Sequence, residues 1–299
     1  MSKPAIAAST NLRTDLLRRV RDNLHDGASH LARVALDSLA EYAAVPAPTH
    51  DALRAELLDF ADELASVRPS MTAIHNLVAR WRQSVAEHEG ELDALREYAL
   101  GQAHGVRNWA DAATDATVRN AVNRIGDRRR LMTHSISSTV SRVLTRVPRA
   151  GLTAIVTESR PGLEGWNLAA ALAQDGIRVT YITDAQAGIF VEQADVVLFG
   201  ADAILADGSV VNKAGTRLIA LAAREAGVPV YVCAESFKCT EQTASEVVIE
   251  EKSGSEMRPP PIPGIRARNL YFEITPANLI SEWISNEPLA ERFGRSAGA

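Results

Sequence analysis

Cysteine is scarce in this sequence, and its two copies form no functional motif. Cys233 and Cys239 are the only cysteines among 299 residues, and no C-x-x-C pair of the kind that holds zinc or carries redox chemistry occurs. This excludes a disulfide-stapled secreted fold. We expect both thiols to be small apolar residues in a reducing compartment.

The sequence also lacks a long hydrophobic run, an excess of positive charge and the usual nucleotide-binding glycine motifs. No stretch of about 18 uninterrupted apolar residues occurs, and the first residues lack the apolar segment of a secretory signal, so we expect a cytoplasmic protein without a membrane span. The formal net charge of −5 does not favour direct contact with nucleic acid or acidic membranes. Neither G-x-G-x-x-G after a predicted strand nor G-x-x-x-x-G-K-[ST] is present, and no metal or cofactor is predicted.

The first part of the chain carries helical periodicity. Between residues 12 and 42 apolar residues recur every three or four positions, and Gly27 interrupts the pattern, which predicts two helices. Further helices are predicted at 52–66, 73–88 and 91–125, with Thr49 or Asp51 as the cap of the first of them.

From about residue 130, short apolar runs alternate with amphipathic helices, the pattern of parallel βαβ units. The predicted architecture is therefore α/β, with an all-helical domain at 1–126 and a mostly parallel sheet with its helices at 127–299. The predicted strands are 130–133, 153–157, 179–183, 196–199, 230–233, 247–249 and 270–272, and the predicted helices are 137–146, 163–175, 185–194 and 213–226.

Ligands of open α/β sheets bind beyond the carboxyl ends of the strands, near helix N-termini. At these places the sequence offers Arg160, Lys213 and Asp202. Two cations beside a helix N-terminus suit a phosphate group, and a buried carboxylate suits proton transfer or a sugar hydroxyl. Lysine is rare here, with four copies in the chain, so a lysine at this position is notable.

Each of these residues also has a purely structural alternative. Lys213 could simply begin a helix, although a cation there opposes the macrodipole. Arg160 could form a loop salt bridge, Asp202 could be an N-cap, and His134 could be a hydrogen-bonded polar residue. Their placement at successive strand ends favours a common site.

Five segments carry a resemblance to a known family. They are T-H-S (133–135), E-S-R-P (158–161), G-A-D-A-I (200–204), G-S-V-V-N-K-A-G-T (208–216) and A-E-S-F-K (234–238). In this order they resemble the family that joins the α, β and δ regulatory subunits of translation initiation factor 2B with two aldose–ketose isomerases, which act on methylthioribose 1-phosphate and ribose 1,5-bisphosphate. The resemblance covers about residues 130–284, with weaker agreement at 26–28 and 68–70.

The resemblance implies a helical N-terminal domain, a Rossmann-like C-terminal domain and dimerisation through the latter. The chain is therefore expected to be a homo-oligomer, at least a dimer, with a small phosphorylated ligand, a pentose phosphate or a nucleotide, and with a translation initiation factor as a possible partner. The implied ligand-binding residues are Gly27, Ala28, Arg68, His134, Ser135, Arg160, Asp202, Asn212 and Lys213.

Two positions depart from the isomerases. Those enzymes are expected to use a cysteine in T-H-C and the aspartate of G-A-D, whereas this chain has Ser135 beside a retained Asp202. They also carry R-G-A near the N-terminus, where this chain has Asp26. An alkyl hydroxyl supplies essentially no oxyanion at neutral pH, unlike a thiol with a pKa of about 8.5.

Two hypotheses follow from these departures. In the first, the protein resembles a regulatory subunit and is not an enzyme, and Arg160, Asn212 and Lys213 bind the ligand while Asp202 receives hydroxyls. In the second, it is an isomerase of a phosphorylated pentose, with Asp202 as the base and His134 or Ser135 relaying the proton.

Overall fold

The computed structural model describes residues 3–23 and 26–293, and the chain divides into two compact units, Met1–Ala112 and Ala113–Ala299. Five helices come first along the chain: α1 (Lys3–Arg21), α2 (Ala28–Tyr42), α3 (His50–Ser66), α4 (Thr72–Ala86) and α5 (Leu92–Ile125). The division therefore falls inside α5, and the predicted boundary at residue 126 falls directly after its last residue.

Local signals in the sequence set the helix ends of the first unit. Gly27 is the N-cap of α2, so the break predicted there is confirmed. The Thr49 hydroxyl accepts a hydrogen bond from the Ala52 amide at 3.2 Å, which identifies Thr49 rather than Asp51 as the side-chain cap of α3. Large apolar side chains with no exposed surface, including Phe60 and Trp81, form the core of this unit.

The second unit is built on a six-stranded sheet in which every neighbouring pair is parallel. Its order is β11-β7-β4-β1-β2-β3. The strands of the sheet are β1 (Arg130–Thr133), β2 (Thr153–Thr157), β3 (Arg178–Ile182), β4 (Val196–Phe199), β7 (Val230–Cys233) and β11 (Glu282–Ile284). The predicted α/β class with a parallel sheet is confirmed.

Successive residues of each strand pack on opposite faces of the sheet, as the period of two requires. On β4, Val197 belongs to one core cluster and Leu198 to the other. The helices that follow the strands are α6 (Ser138–Arg146), α7 (Glu164–Gln174), the short α8 (Ala187–Phe190) and α9 (Thr216–Glu225). The sheet thus has apolar layers on both faces, which explains why the fully buried strands β4 and β7 are continuous apolar runs.

Two smaller sheets complete the second unit. A three-stranded antiparallel sheet contains β5 (Ala203–Ile204), β6 (Val210–Lys213) and β10 (Phe272–Thr275), and a two-stranded ladder contains β8 (Glu251–Lys252) and β9 (Asn269–Leu270). Strands of two to four residues carry little periodicity, and the antiparallel strands β5, β6, β8 and β10 as well as the parallel β11 were missed as separate strands in the sequence-based prediction.

Several predicted elements are wrong in detail. Residues 247–249 form no strand, and the predicted strand at 270–272 is divided between β9 and β10. The helix predicted at 185–194 is a four-residue helix flanked by 3₁₀ turns. The helix predicted from residue 213 begins only at Thr216, because Lys213 is the last residue of β6 and Gly215 adopts a φ of +113°.

Across residues 3–23 and 26–293, no helix is both long enough and apolar enough to cross a membrane.

Candidate functional site

The strand order of the second unit creates a point at which polar side chains gather. In the sheet, β2 and β3 lie on one side of β1, and β4, the next strand along the chain, pairs with β1 on its other side. The loops after β1 and β4 approach closely, since a Cβ on Gly200 would lie 2.5 Å from the Ser137 hydroxyl oxygen. Such a topological switch point is where open α/β sheets bind ligands.

His134, directly after β1, is fully enclosed and held by protein groups at both ring nitrogens. Nε2 lies 2.9 Å from the Ala214 carbonyl oxygen, which can only accept, so Nε2 carries the hydrogen. Nδ1 lies 2.6 Å from the Thr157 hydroxyl and accepts from it. Burial lowers the pKa of His134, against the opposing effect of nearby Asp184, so the imidazole is neutral at pH 7.

The turn after β6 must pass directly over this imidazole. A Cβ on Gly215 would lie 2.8 Å from His134 Nε2, and its φ of +113° is strained for other residues. Gly215 thus fits the turn for two reasons, and both ring nitrogens of His134 are hydrogen-bonded within the protein, as the structural alternative for this residue predicts.

Ser135 and Ser159 follow β1 and β2 with the same unusual backbone conformation. Both have a φ of 62°, which is costly for residues with a Cβ and is typical of functional sites. The Ser135 amide donates to the Ser159 hydroxyl at 2.7 Å, which fixes one loop to the other. The amides of Ser159 and Arg160 donate to the two carboxylate oxygens of Asp184 at 2.8 and 2.7 Å. The loops after β1, β2 and β3 therefore form one hydrogen-bonded assembly.

Lys213 is buried, and its ammonium group is already paired. Nζ lies 2.7 Å from Oε1 of Glu164, the first residue of α7, with only 4% and 12% of the two side chains exposed. The same nitrogen lies 3.9 Å from the centroid of the Tyr271 ring, a cation–π contact. The Ala214 carbonyl oxygen, one residue after Lys213, lies 2.9 Å from His134 Nε2, so the backbone at Lys213 runs beside the end of β1.

The argument that Lys213 opposes a helix macrodipole is wrong, because Lys213 ends a strand. The helix that follows, α9, already has an anion at its N-terminus. Oε1 of Glu273 on β10 accepts from the amides of Gly215 and Arg217 at 2.6 and 2.9 Å. The N-terminus of α9 is thus satisfied by a protein carboxylate rather than held ready for a phosphate.

Asn212 precedes Lys213 in β6, and the small antiparallel sheet brings Asp202 close to both. The Asp202 amide donates to the Val211 carbonyl oxygen at 2.9 Å, which sets Asp202 beside the Asn212 position. The Asn212 amide nitrogen donates to the Thr216 hydroxyl at 2.9 Å. Asp202 is half-buried, not fully buried as its sequence context suggested.

Arg160 is the exposed cation of this region. Its side chain makes a long hydrogen bond of 3.4 Å to the Met257 carbonyl oxygen, in the segment before β9. Through its amide it belongs to the same loop assembly as Ser135 and Ser159. Six of the predicted residues lie in the second unit, on or directly after its strands and in the loops that follow them: His134, Ser135, Arg160, Asp202, Asn212 and Lys213.

The other three predicted residues, Gly27, Ala28 and Arg68, lie in the first unit. Arg68 is buried and donates to the Asn23 carbonyl oxygen at 2.9 Å, while the Asn23 side chain donates to the Asp26 carboxylate at 2.8 Å. The segments at 26–28 and 68–70, distant in sequence, are therefore neighbours. Asp26 is exposed and lies 3.6 Å from the His30 imidazole.

Three residues of the site were missed by sequence analysis. Glu164 and Tyr271 are 49 and 58 positions from Lys213, and no local pattern connects them to it. Asp184 follows β3 and satisfies the strand-end rule equally, but it was not among the predicted site residues. Among the described residues, no group of three or more potential metal ligands is present.

A parallel six-stranded sheet with apolar layers on both faces defines a protein of the doubly wound α/β class. The model of the initiation factor 2 subunit family matches residues 24–289, and the chain therefore belongs to this family. The resemblance inferred from the five sequence segments is confirmed.

Relatives of both kinds implied by the resemblance are similar to this chain. Ribose 1,5-bisphosphate isomerase of Archaeoglobus fulgidus is 33% identical over 85% of this chain and 82% of that protein. A translation initiation factor eIF-2B subunit 2-like protein of Pyrococcus abyssi is 33% identical over 89% and 91%. The crystal structure of translation initiation factor eIF-2B from Pyrococcus horikoshii has a TM-score of 0.79 at 28% identity, with 96% of each chain covered. Overall identity therefore does not separate the regulatory from the catalytic class.

Proposed function

We propose that this chain is a non-catalytic, regulatory-subunit-like member of the family that binds a phosphorylated pentose or a nucleotide at the carboxyl ends of β1, β2 and β4. The observation that carries the proposal is Ser135 at the position of the isomerase cysteine, beside an imidazole whose two nitrogens are both engaged by other groups. His134 donates through Nε2 and accepts through Nδ1, so it has no lone pair left for the Ser135 proton.

This arrangement disfavours proton transfer at position 135. A serine hydroxyl becomes a useful base or nucleophile only when a neighbouring group takes its proton. The neutral His134, locked by Thr157 and Ala214, does not offer that help. The same rigid frame suits binding, since its loops are fixed before a ligand arrives.

Within this proposal the exposed Arg160 contacts the phosphate, and Asp202 and Asn212 contact hydroxyl groups. The residues of the first unit, Gly27, Ala28 and Arg68, remain predicted ligand contacts. A guanidinium group suits phosphate because it offers two parallel donors. The proposal thus assigns the phosphate to Arg160, a cation that is not already neutralised by a buried partner.

A thermal-shift screen of the purified protein with pentose phosphates, AMP and GMP tests binding. We expect at least one of them to stabilise the protein, and we expect Arg160→Ala to weaken that binding by about 1.5–3 kcal/mol, the usual worth of a hydrogen bond to a charged group. Arg178→Ala, which removes an exposed arginine from β3, is the matched control and should leave binding unchanged. Stabilisation by none of these compounds would contradict the proposal.

The alternative function is an aldose–ketose isomerase that acts on a phosphorylated pentose. Asp202 favours it, since a carboxylate beside the sugar can move a proton between adjacent carbons, and so does the similarity to a ribose 1,5-bisphosphate isomerase. The proposal predicts no measurable turnover of ribose 1,5-bisphosphate or methylthioribose 1-phosphate by the native protein. Robust turnover that Asp202→Asn abolishes would establish the alternative instead.

We further propose that the chain is a homo-oligomer, at least a dimer, formed through its second unit, and that a translation initiation factor is its partner. Membership of the initiation factor 2 subunit family supports both statements. Light scattering at micromolar concentration measures the first of them. A mass equal to that of a single chain would contradict it.

A further inference from the structure

The buried pair formed by Lys213 and Glu164 determines which chemical group the site can accept beside it. The ammonium nitrogen and Oε1 are 2.7 Å apart, and the two side chains together carry no net charge. Tyr271 covers the ammonium group from another side, with the ring centroid at 3.9 Å. The cation that the sequence assigned to phosphate is therefore already compensated by the protein itself.

The carboxylate of this pair retains an unused acceptor. Oε2 of Glu164 is buried and accepts no hydrogen bond from any residue in 3–23 or 26–293. A buried polar atom of this kind is costly unless it acquires a partner. The backbone of Gly162 approaches this carboxylate so closely that a Cβ there would lie 2.6 Å from Oε1 and 3.2 Å from Oε2.

These features disfavour a phosphate at this point and favour a hydroxyl. A phosphate dianion against Lys213 would also face the Glu164 carboxylate, and like charges at such distances repel strongly where water is excluded. A hydroxyl can accept from the ammonium group and donate to Oε2 at the same time. It would complete the hydrogen bonding of both groups without adding charge.

We propose that the Lys213–Glu164 pair receives a hydroxyl group of the ligand, so that the site selects a sugar with one phosphate over a sugar bisphosphate. The inference rests on the proposed function, since it specifies the ligand of the same site. The single phosphate then lies near Arg160, and the second phosphate of a bisphosphate meets a carboxylate.

Calorimetric titration with ribose 5-phosphate and with ribose 1,5-bisphosphate tests the inference. We expect the native protein to bind the monophosphate at least about tenfold more tightly. Glu164→Gln keeps the shape of the side chain and removes its charge, and we expect it to tighten bisphosphate binding at least about tenfold while changing monophosphate binding much less. Glu192→Gln, at an exposed carboxylate before β4, makes the same change in net charge and should leave the ratio of the two affinities unchanged.

The outcomes separate this inference from the proposed function. Equal or tighter binding of the bisphosphate by the native protein overturns the inference alone, as does an unchanged ratio in a folded Glu164→Gln variant. Should that variant fail to fold, as judged by circular dichroism, the affinity ratio of the native protein still decides. If neither compound binds and AMP and GMP also fail to bind, the proposed function fails and the inference falls with it.

Discussion

Two buried lysine–glutamate pairs lie in the second unit, and they differ in how completely the carboxylate is satisfied. Lys238 Nζ lies 3.1 Å from Oε2 of Glu235, whose side chain has no exposed surface. Oε1 of Glu235 accepts from the hydroxyls of Thr114 and Thr139 at 2.9 and 2.7 Å. At the other pair, Glu164 accepts from Lys213 through Oε1 only, among the described residues.

The difference teaches that a buried ion pair is not by itself evidence of a binding site. Glu235 joins three elements, since Thr114 lies on α5, Thr139 on α6 and Glu235 after β7, and its acceptors are used within the protein. By contrast, Oε2 of Glu164, beside the switch point, accepts no hydrogen bond within the described residues. The first pair therefore has a structural role, and the second is the pair that we propose receives a hydroxyl group of the ligand.

The largest expected effect is on stability, from removing the satisfied carboxylate. Glu235→Ala leaves Lys238 as an uncompensated buried charge, and we expect a loss of about 3–5 kcal/mol in the free energy of unfolding. Denaturant unfolding followed by circular dichroism measures it. A loss below about 1 kcal/mol would contradict the structural role assigned to this pair.

A smaller loss is expected at the second pair. Glu164→Ala should cost about 1–3 kcal/mol, because Lys213 keeps its contact with the Tyr271 ring. Glu192→Ala, at an exposed position, is the control and should stay within about 0.5 kcal/mol of the native protein. If Glu164→Ala proved more damaging than Glu235→Ala, the distinction between the two pairs would be wrong.

The pH dependence of stability offers a second comparison. Burial by itself would raise the pKa of Glu235, but Lys238 and the Thr139 hydroxyl outweigh it and lower that pKa to about 2. The unfolded chain binds the proton more readily, with a pKa of about 4.3, so this contribution is complete above that pH and is lost as the pH falls towards 2. We expect Glu235→Gln to show a shallower loss of stability over this range than the native protein. Equal slopes for the two proteins would show that Glu235 is not held ionised.

The smallest expected effect is on the rate at which a thiol reagent labels the two cysteines. This rate depends on how often the structure around each thiol opens. Burial raises the pKa of Cys233 to about 12 and that of Cys239 to about 11, so both should react slowly with a thiol reagent. Cys233 lies two residues before Glu235, and we expect Glu235→Gln to accelerate its labelling more than Glu164→Gln does. Rapid labelling of Cys233 in the native protein would contradict its enclosed position.

The strand ends were predictable from the sequence, whereas the contacts between them were not. β1, β2, β4 and β7 begin and end at the predicted residues, because a buried parallel strand needs a continuous apolar run with polar residues after it. That rule sufficed to select His134, Asp202 and Arg160. It failed for β6, which was not predicted as a strand and whose last residue, Lys213, was taken for the start of a helix, since neither periodicity can be recognised in so short a segment.

What the sequence determined by itself is the order of the elements, the parallel sheet and the polar residues at its carboxyl edge, because these depend on local periodicity and on residues adjacent in the chain. Only the tertiary structure decided what those residues do. It engaged both nitrogens of His134, placed Glu273 at the N-terminus of α9 and set Glu164 against Lys213. The last of these contacts joins positions 49 residues apart, and it changes a predicted phosphate-binding cation into half of a neutral pair. Charge compensation depends on distance in space, which no local pattern of the chain records.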